Sequence, residues 1–113
     1  MEAKKTFKVF HFKNAVAWQT AKRGTMTNIG HREVEIGSPP EFKGTEDVWC
    51  PEELLIGAVS SCLMLTFLNF AGRRRLGISA YESSAEATVE NADGKYRVTC
   101  IQVRPMVSLG REN

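Results

Sequence analysis

The sequence has little net charge, since its 15 basic and 13 acidic residues give +2 at pH 7. So small an excess gives no support to binding of nucleic acid or of an anionic membrane surface. The opening MEAKKTFKVF has neither the apolar core nor the small-residue cleavage site of a secretory signal, so we expect a cytoplasmic protein. At 113 residues, 42% of them hydrophobic, the chain predicts a single domain over residues 1–113.

Metal ligands are also scarce. His11 and His31 have no companions at ligand spacing, and the three cysteines include no C-x-x-C pair, so we expect no metal and no cofactor. In a reducing cytosol the cysteines are free thiols. Cys50 and Cys62 would lie about 18 Å apart along one helix, whereas a disulfide needs Cα atoms within about 7 Å, so they cannot pair within one chain.

Charge is absent from residues 54–71, a run of 18 residues that approaches membrane-spanning length. The run contains polar residues, and the remainder of the chain reads as amphipathic strands that need an apolar surface to cover. We therefore favour a central helix wrapped by sheet over a membrane span, and expect no membrane partner. The polar residues are Ser60, Ser61, Thr66 and Asn69.

Strand patterns lie on both sides of this helix. Residues 6–20 are rich in Phe, Val and Trp and predict one or two strands, followed by the turn AKRG, a further extended run and the strand HREVEI. Proline and glycine make residues 37–47 a loop. After the helix, residues 80–91 alternate in polarity, NADG forms a turn and residues 95–109 return as a strand. The order predicts an α+β protein with antiparallel sheet packed on a long helix.

The helix has recognisable ends. Pro51 fits the first helical position, the two glutamates after it suit the positive end of the helix dipole, and Arg73–Arg75 suit the negative end. Gly77 is the expected stop. Three adjacent arginines spread around a helix end and have no aromatic platform beside them, so they do not indicate a nucleic-acid surface.

Cys62 is the candidate reactive group, because the turn before it is built of small residues that leave a slot beside the thiol. Those residues are Gly57, Ala58, Ser60 and Ser61. A reactive thiol must be a thiolate, and the dipole gives little help in mid-helix, so a cation must come from another segment. Arg23, in the AKRG turn, is the best candidate. Cys100 is expected to share a strand face with Tyr96 and Val98 and to fill the core.

The segments SPPEFKG and CPEELLIGAVSSCL resemble the OsmC/Ohr family of osmotically inducible and organic hydroperoxide resistance proteins. The shared pattern is a P-P-E-F-G-G loop, a Pro-Glu helix start and a cysteine ten residues after the glutamate. Lys43 replaces the first glycine of the usual pair. The resemblance covers about residues 15–105 and implies an OsmC-like fold assembled as an intertwined homodimer with active sites at the subunit interface.

The resemblance also implies roles for individual residues. Cys62 matches the peroxidatic cysteine, whose thiolate attacks the O–O bond of an organic hydroperoxide. Glu52 matches the glutamate that holds an activating arginine, and Arg23 is the equivalent of that arginine. Glu52 and Cys62 lie about 15 Å apart along one helix, so a shared site needs two copies of the helix running antiparallel. Gly57, Ala58 and Ser61 would allow that contact.

One part of the family pattern is missing. The family's second, resolving cysteine lies in a later helix, and this chain ends before that helix and its following strand. Cys100 lies in a strand before the expected position. Either the resolving cysteine belongs to a further segment, or an external thiol or dithiol reductant resolves the oxidised cysteine, or the protein is not a peroxidase.

Two functions therefore stay open. The first is a thiol-dependent peroxidase that reduces organic hydroperoxides in defence against oxidative stress, without a metal or organic cofactor. The second is a non-catalytic OsmC-fold dimer that binds a small apolar ligand, with Cys62 used only for packing. The preferred peroxide and the physiological reductant are not determined by the sequence.

Overall fold

The computed structural model describes residues 8–110, and these fall into two compact units that divide between Trp49 and Cys50. The units consist of antiparallel strands and one long helix, as expected for an α+β protein. Among the described residues no large side chain is fully buried, and the buried apolar residues are Val48, Cys50 and Ala71. The single domain over residues 1–113 stays a prediction.

The N-terminal unit is a three-stranded antiparallel sheet in the order β1-β2-β3. Its strands are β1 (Ala15–Thr20), β2 (Arg23–Thr27) and β3 (Val34–Gly37). The strand prediction over residues 6–20 is therefore wrong for residues 8–14, which have no regular secondary structure; residues 6 and 7 lie outside the described part. The AKRG turn is also shorter than expected, since Arg23 already pairs with Gly37.

The loop after β3 returns to the same sheet. It contains a short 3-10 helix, Pro40–Phe42, and ends where Trp49 forms a parallel bridge with Ile36. Lys43 has φ of 65°, a left-handed conformation that glycine adopts more readily than lysine does. A Cβ on Gly44 would overlap the backbone oxygen of Ser38, so this second position of the glycine pair has no room for a side chain.

The C-terminal unit contains the helix α1 (Pro51–Arg73) and the hairpin of β4 (Ile78–Ala92) and β5 (Lys95–Leu109). Pro51 is the first helical residue, as predicted. The prediction that Gly77 stops the helix is wrong. The helix ends at Arg73 because Arg75 turns left-handed with φ of 55°, and the N–H groups of Arg75 and Leu76 close the last turn on the carbonyls of Gly72 and Ala71.

The hairpin turn is the predicted one. Asp93 and Gly94 both have positive φ, 54° and 79°, the conformation of a type I′ turn that Asp-Gly favours. One face of β4 is half-buried, as the alternating pattern predicts, and includes Tyr81, Ala85, Ala87 and Val89.

Cys100 does not lie on that face. Thr88 pairs with Cys100 and Val89 with Val98, so Thr99 is an extra residue that makes a bulge in β5. Because partners in adjacent strands point to the same side of a sheet, Cys100 lies on the Thr88 side, opposite Val98. Cys100 is exposed, and its predicted place in the core is wrong.

Candidate functional site

The two sides of α1 differ in what covers them. Half-buried residues recur every three or four positions and form one stripe, and the helix packs on β4, where Phe67 and Tyr81 have ring centroids 5.8 Å apart. The stripe consists of the half-buried Glu52, Ile56, Ser60, Met64 and Phe67 and the buried Ala71, and half-buried Leu54 lies outside it. Within this helix only Ala71 is buried, so in one chain the sheet covers only part of the helix. A two-stranded hairpin is too narrow to cover a helix that is apolar all round.

Cys62 lies on the uncovered side. It is two residues beyond Ser60, which at 100° per residue turns its side chain away from the half-buried stripe. Its thiol is exposed and lies 3.9 Å from Oγ1 of Thr66, one turn further along the helix. Around it the helix exposes leucine and valine side chains, including Leu65, which is 61% exposed. The thiol therefore lies on an apolar surface that is open to a second molecule.

The small residues expected beside Cys62 are indeed uncovered. Gly57, Ala58 and Ser61 are exposed, and a Cβ added to Gly57 would have no heavy atom within 4 Å. No contact within residues 8–110 therefore requires glycine at residue 57. The slot that the sequence predicts beside the Cys62 thiol is therefore an open helix surface in one chain.

Glu52 lies in the first turn of α1 and is half-buried. Its Oε1 is buried and accepts no hydrogen bond from any residue within 8–110. A buried carboxylate oxygen without a donor costs free energy, so this atom lacks a cationic or N–H partner. Ten residues separate Glu52 from Cys62, about 15 Å along the helix axis, so one chain does not bring them together.

Arg23 belongs to the N-terminal unit and is engaged there. Its Nη1 donates to both carboxylate oxygens of Asp47, at 3.1 and 3.0 Å, and to Oγ1 of Thr45 at 3.3 Å. The Thr45 hydroxyl donates in turn to Asp47. These hydrogen bonds, first that of Thr45 and then that of Arg23, lower the pKa of the Asp47 carboxyl below its usual value, so the carboxylate is ionised at neutral pH.

Thr45 and Asp47 were missed by the sequence interpretation, which treated residues 37–47 only as a loop. The T-x-D spacing was the available signal, because a threonine hydroxyl two residues before an aspartate can hydrogen-bond to its carboxylate. The partner of that carboxylate could not be read locally, since Arg23 is 24 residues away.

Cys50 has a different role from Cys62. It is the N-cap of α1, and its backbone N–H donates to the Glu53 carboxylate at 3.0 Å in a capping box. Burial raises the pKa of the Cys50 thiol, and the neighbouring Glu53 carboxylate raises it further. A protonated, buried thiol is a poor nucleophile, so Cys50 is a structural residue.

Two further observations concern possible ligands and surroundings. No group of three or more His, Cys, Asp or Glu side chains in residues 8–110 is arranged to hold a metal ion. By length and composition, Pro51–Arg73 is apolar enough to cross a membrane, with a mean hydropathy of 2.0. Only 6% of this apolar stretch is buried within the described residues, unlike the core helix of a soluble protein, but one such helix alone is weak support for a membrane span.

Comparison with known proteins identifies the family. No curated protein matches the sequence. An OsmC-like protein of unknown function from Vibrio cholerae O1 biovar eltor str. N16961 is similar in structure, with a TM-score of 0.81 and 25% sequence identity, over 89% of this chain and 76% of the other. The family model for OsmC-like proteins matches residues 44–113, which include α1 and the hairpin. The chain belongs to the OsmC-like family.

Proposed function

We propose that the protein is a cysteine-based peroxidase that reduces organic hydroperoxides with an external thiol or dithiol. The observation that carries this proposal is the position of Cys62, an exposed thiol in the middle of an uncovered apolar helix face. An alkyl hydroperoxide has an apolar body and a polar O–O group, and this surface matches the apolar part. Membership of the OsmC-like family is consistent with the proposal.

Activation of the thiol is assigned to Arg23 and Glu52. Arg23 uses only Nη1 in its hydrogen bonds within residues 8–110, although a guanidinium has five N–H donors, so donors are available for an anion. Glu52 has a buried oxygen without a donor. A guanidinium shared between this carboxylate and the Cys62 sulfur would satisfy the oxygen and favour the thiolate.

The chemistry balances without a metal or organic cofactor. The Cys62 thiolate attacks the terminal oxygen of the hydroperoxide, an S–O bond forms, the O–O bond breaks, and the leaving alkoxide takes a proton to become the alcohol. The sulfur is oxidised by two electrons to a sulfenic acid. A reductant thiol then forms a mixed disulfide and releases water, and a second thiol restores Cys62 and leaves as the reductant disulfide.

The proposed working form is a homodimer in the cytoplasm. No large side chain is fully buried within residues 8–110, and α1 exposes Leu55, Leu63 and Leu65 to a degree that is unusual for a chain of this size. A second copy of α1 running antiparallel would cover this face and bring Glu52 of one chain toward Cys62 of the other.

The test is stopped-flow consumption of cumene hydroperoxide with dithiothreitol as reductant. Wild type should react at least 100-fold faster than Cys62→Ser, while Cys100→Ser should react like wild type because the Cys100 thiol lies on β5 and not on α1. Equally slow rates for wild type and Cys62→Ser would exclude the peroxidase.

The alternative function has its own readout. If Cys62 is used only for packing in an apolar-ligand binder, it should resist alkylation at neutral pH until the protein is unfolded. Rapid alkylation of Cys62 in the folded protein would exclude that alternative.

A further inference from the structure

The start of β2 and the end of the loop after β3 are brought together by the sheet. Arg23 pairs with Gly37, the residue at which the loop begins, and the loop returns to β3 at Trp49. This return places Asp47 next to Arg23 although they are far apart in sequence. The juxtaposition is therefore a product of strand pairing and not of local sequence.

The loop that carries Asp47 is itself held by main-chain hydrogen bonds. The N–H of Ser38 donates to the carbonyl of Lys22 at 3.2 Å, and the N–H of Thr45 donates to the carbonyl of Ser38, also at 3.2 Å. Nζ of Lys22 donates to the carbonyl of Phe42 at 3.2 Å. The carboxylate thus projects from a closed loop that is hydrogen-bonded to Lys22, the residue before Arg23.

The hydrogen bonds leave most of the guanidinium available. Both oxygens of Asp47 and the hydroxyl of Thr45 contact one nitrogen, Nη1, and no other residue within 8–110 bonds to Nε or Nη2 of Arg23. One end of the guanidinium is fixed while the remaining donors can meet a second anion. An arginine held in this way loses less side-chain entropy when it binds than a free one.

We propose that Asp47 and Thr45 are positioning residues, which hold the Arg23 guanidinium in the orientation that stabilises the reacting thiolate. This inference rests on the proposed function of Arg23 and adds two residues to it. Asp47 and Thr45 contact neither the thiol nor the peroxide in this scheme, and they act only through Arg23.

The proposal predicts a change in reaction rate for Asp47→Asn that is opposite in sign to the change expected from charge alone. Asp47 carries a negative charge, so its direct effect on a nearby thiolate is unfavourable, and Asp47→Asn would speed the reaction if charge alone mattered. If Asp47 positions Arg23, the same substitution slows the reaction, because the guanidinium samples other orientations. We expect a loss of about tenfold in kcat/KM, in the range that small misplacements of catalytic groups cause.

The test is a double-mutant cycle of Asp47→Asn and Arg23→Ala, read by hydroperoxide kinetics and by the rate of iodoacetamide alkylation at Cys62, followed by peptide mass spectrometry. Asp47→Asn should lower both rates about tenfold when Arg23 is present and change them less than twofold when Arg23 is alanine. Asp47→Glu, which keeps the charge, should recover part of the loss, and Thr45→Val should show a smaller loss that also disappears with Arg23→Ala.

The outcomes separate the inference from the proposed function. Equal losses in both backgrounds would show that Asp47 acts on the fold, and a faster Asp47→Asn would show that it acts by charge; either overturns the inference. If hydroperoxide is not consumed in a Cys62-dependent way, the peroxidase fails, and the alkylation cycle still decides whether Asp47 acts on the thiol through Arg23.

Discussion

The loop after β3 and the uncovered face of α1 differ in whether their side chains find partners within one chain. In the loop, polar groups are close together and are satisfied inside the chain, as in the hydrogen bonds among Arg23, Thr45 and Asp47. On the helix face, Leu55, Val59 and Leu65 are exposed and find no cover within residues 8–110. The comparison teaches that the polar groups of the loop find their partners within one chain, whereas the apolar helix face stays exposed there, which is why we propose it as the dimer interface.

The largest effect is expected from a charge on the helix face. In a homodimer, Leu65→Asp would bury an unpaired carboxylate at the interface, at a cost of several kcal/mol, and the dimer should dissociate with at least a 100-fold higher dissociation constant. Sedimentation equilibrium measures this constant. Thr88→Asp, on the exposed polar side of β4, is the control and should leave the assembly unchanged. A wild-type protein that is monomeric at micromolar concentration would contradict the dimer.

One added methyl group at Gly44 should disrupt the loop after β3. Gly44→Ala would drive its Cβ into the backbone of Ser38, so the loop must open, and we expect a loss of about 2–3 kcal/mol in the free energy of unfolding, in line with other cases of backbone strain. Gly72→Ala in α1 is the matched control. A Cβ at Gly72 would meet no heavy atom of residues 8–110 within 4 Å, and alanine should stabilise the helix by about 0.5–1 kcal/mol. Urea unfolding measures both, and a neutral Gly44→Ala would contradict the tight crossing of the loop.

Substitution of two phenylalanines compares the covered side of α1 with its uncovered side. Phe67 packs against Tyr81, and Phe67→Ala should lower the free energy of unfolding by about 2–3 kcal/mol, below the range of fully buried rings because the side chain is half-buried. Phe70 is 46% exposed. The Cζ atoms of Arg73 and Arg74 lie 5.9 and 5.7 Å from the centroid of its ring. Phe70→Ala should lose only about 1 kcal/mol. An equal loss at both positions in urea unfolding would show that a partner also covers Phe70.

The smallest effect concerns the start of α1 and depends on pH. The backbone N–H of Cys50 holds the pKa of the Glu53 carboxyl below its ordinary value, so Glu53 contributes stability above the pKa of the unfolded chain, about 4.3. This contribution is lost as pH falls through the lower pKa of the folded state. Glu53→Gln should therefore be less stable than wild type at pH 6, and the difference should shrink as the pH falls below about 4.3, in urea unfolding at each pH. Glu82→Gln on the exposed side of β4 should show no such dependence.

The elements of the C-terminal unit were predictable because their signals are local. Pro51 at the first helical position and Asp93-Gly94 in the hairpin turn specify their conformations within a few residues. The predictions for this unit were wrong where the conformation of a single residue departed from the sequence pattern around it. The left-handed Arg75 ends α1 before Gly77, and the extra Thr99 transfers Cys100 to the opposite side of β5. A bulge changes the face of every later residue, and the alternation of polarity alone does not locate it.

By itself, the sequence determined the long helix, the hairpin and the resemblance to the OsmC family, because these depend on periodicity, turn residues and short motifs that act over a few positions. Only the tertiary structure decided that Arg23 is held by Asp47 and that Cys62 lies on an uncovered surface. The physical reason is that a hydrogen bond between residues 24 apart, and the exposed area of a side chain, depend on strand pairing and on the width of the sheet that covers a helix.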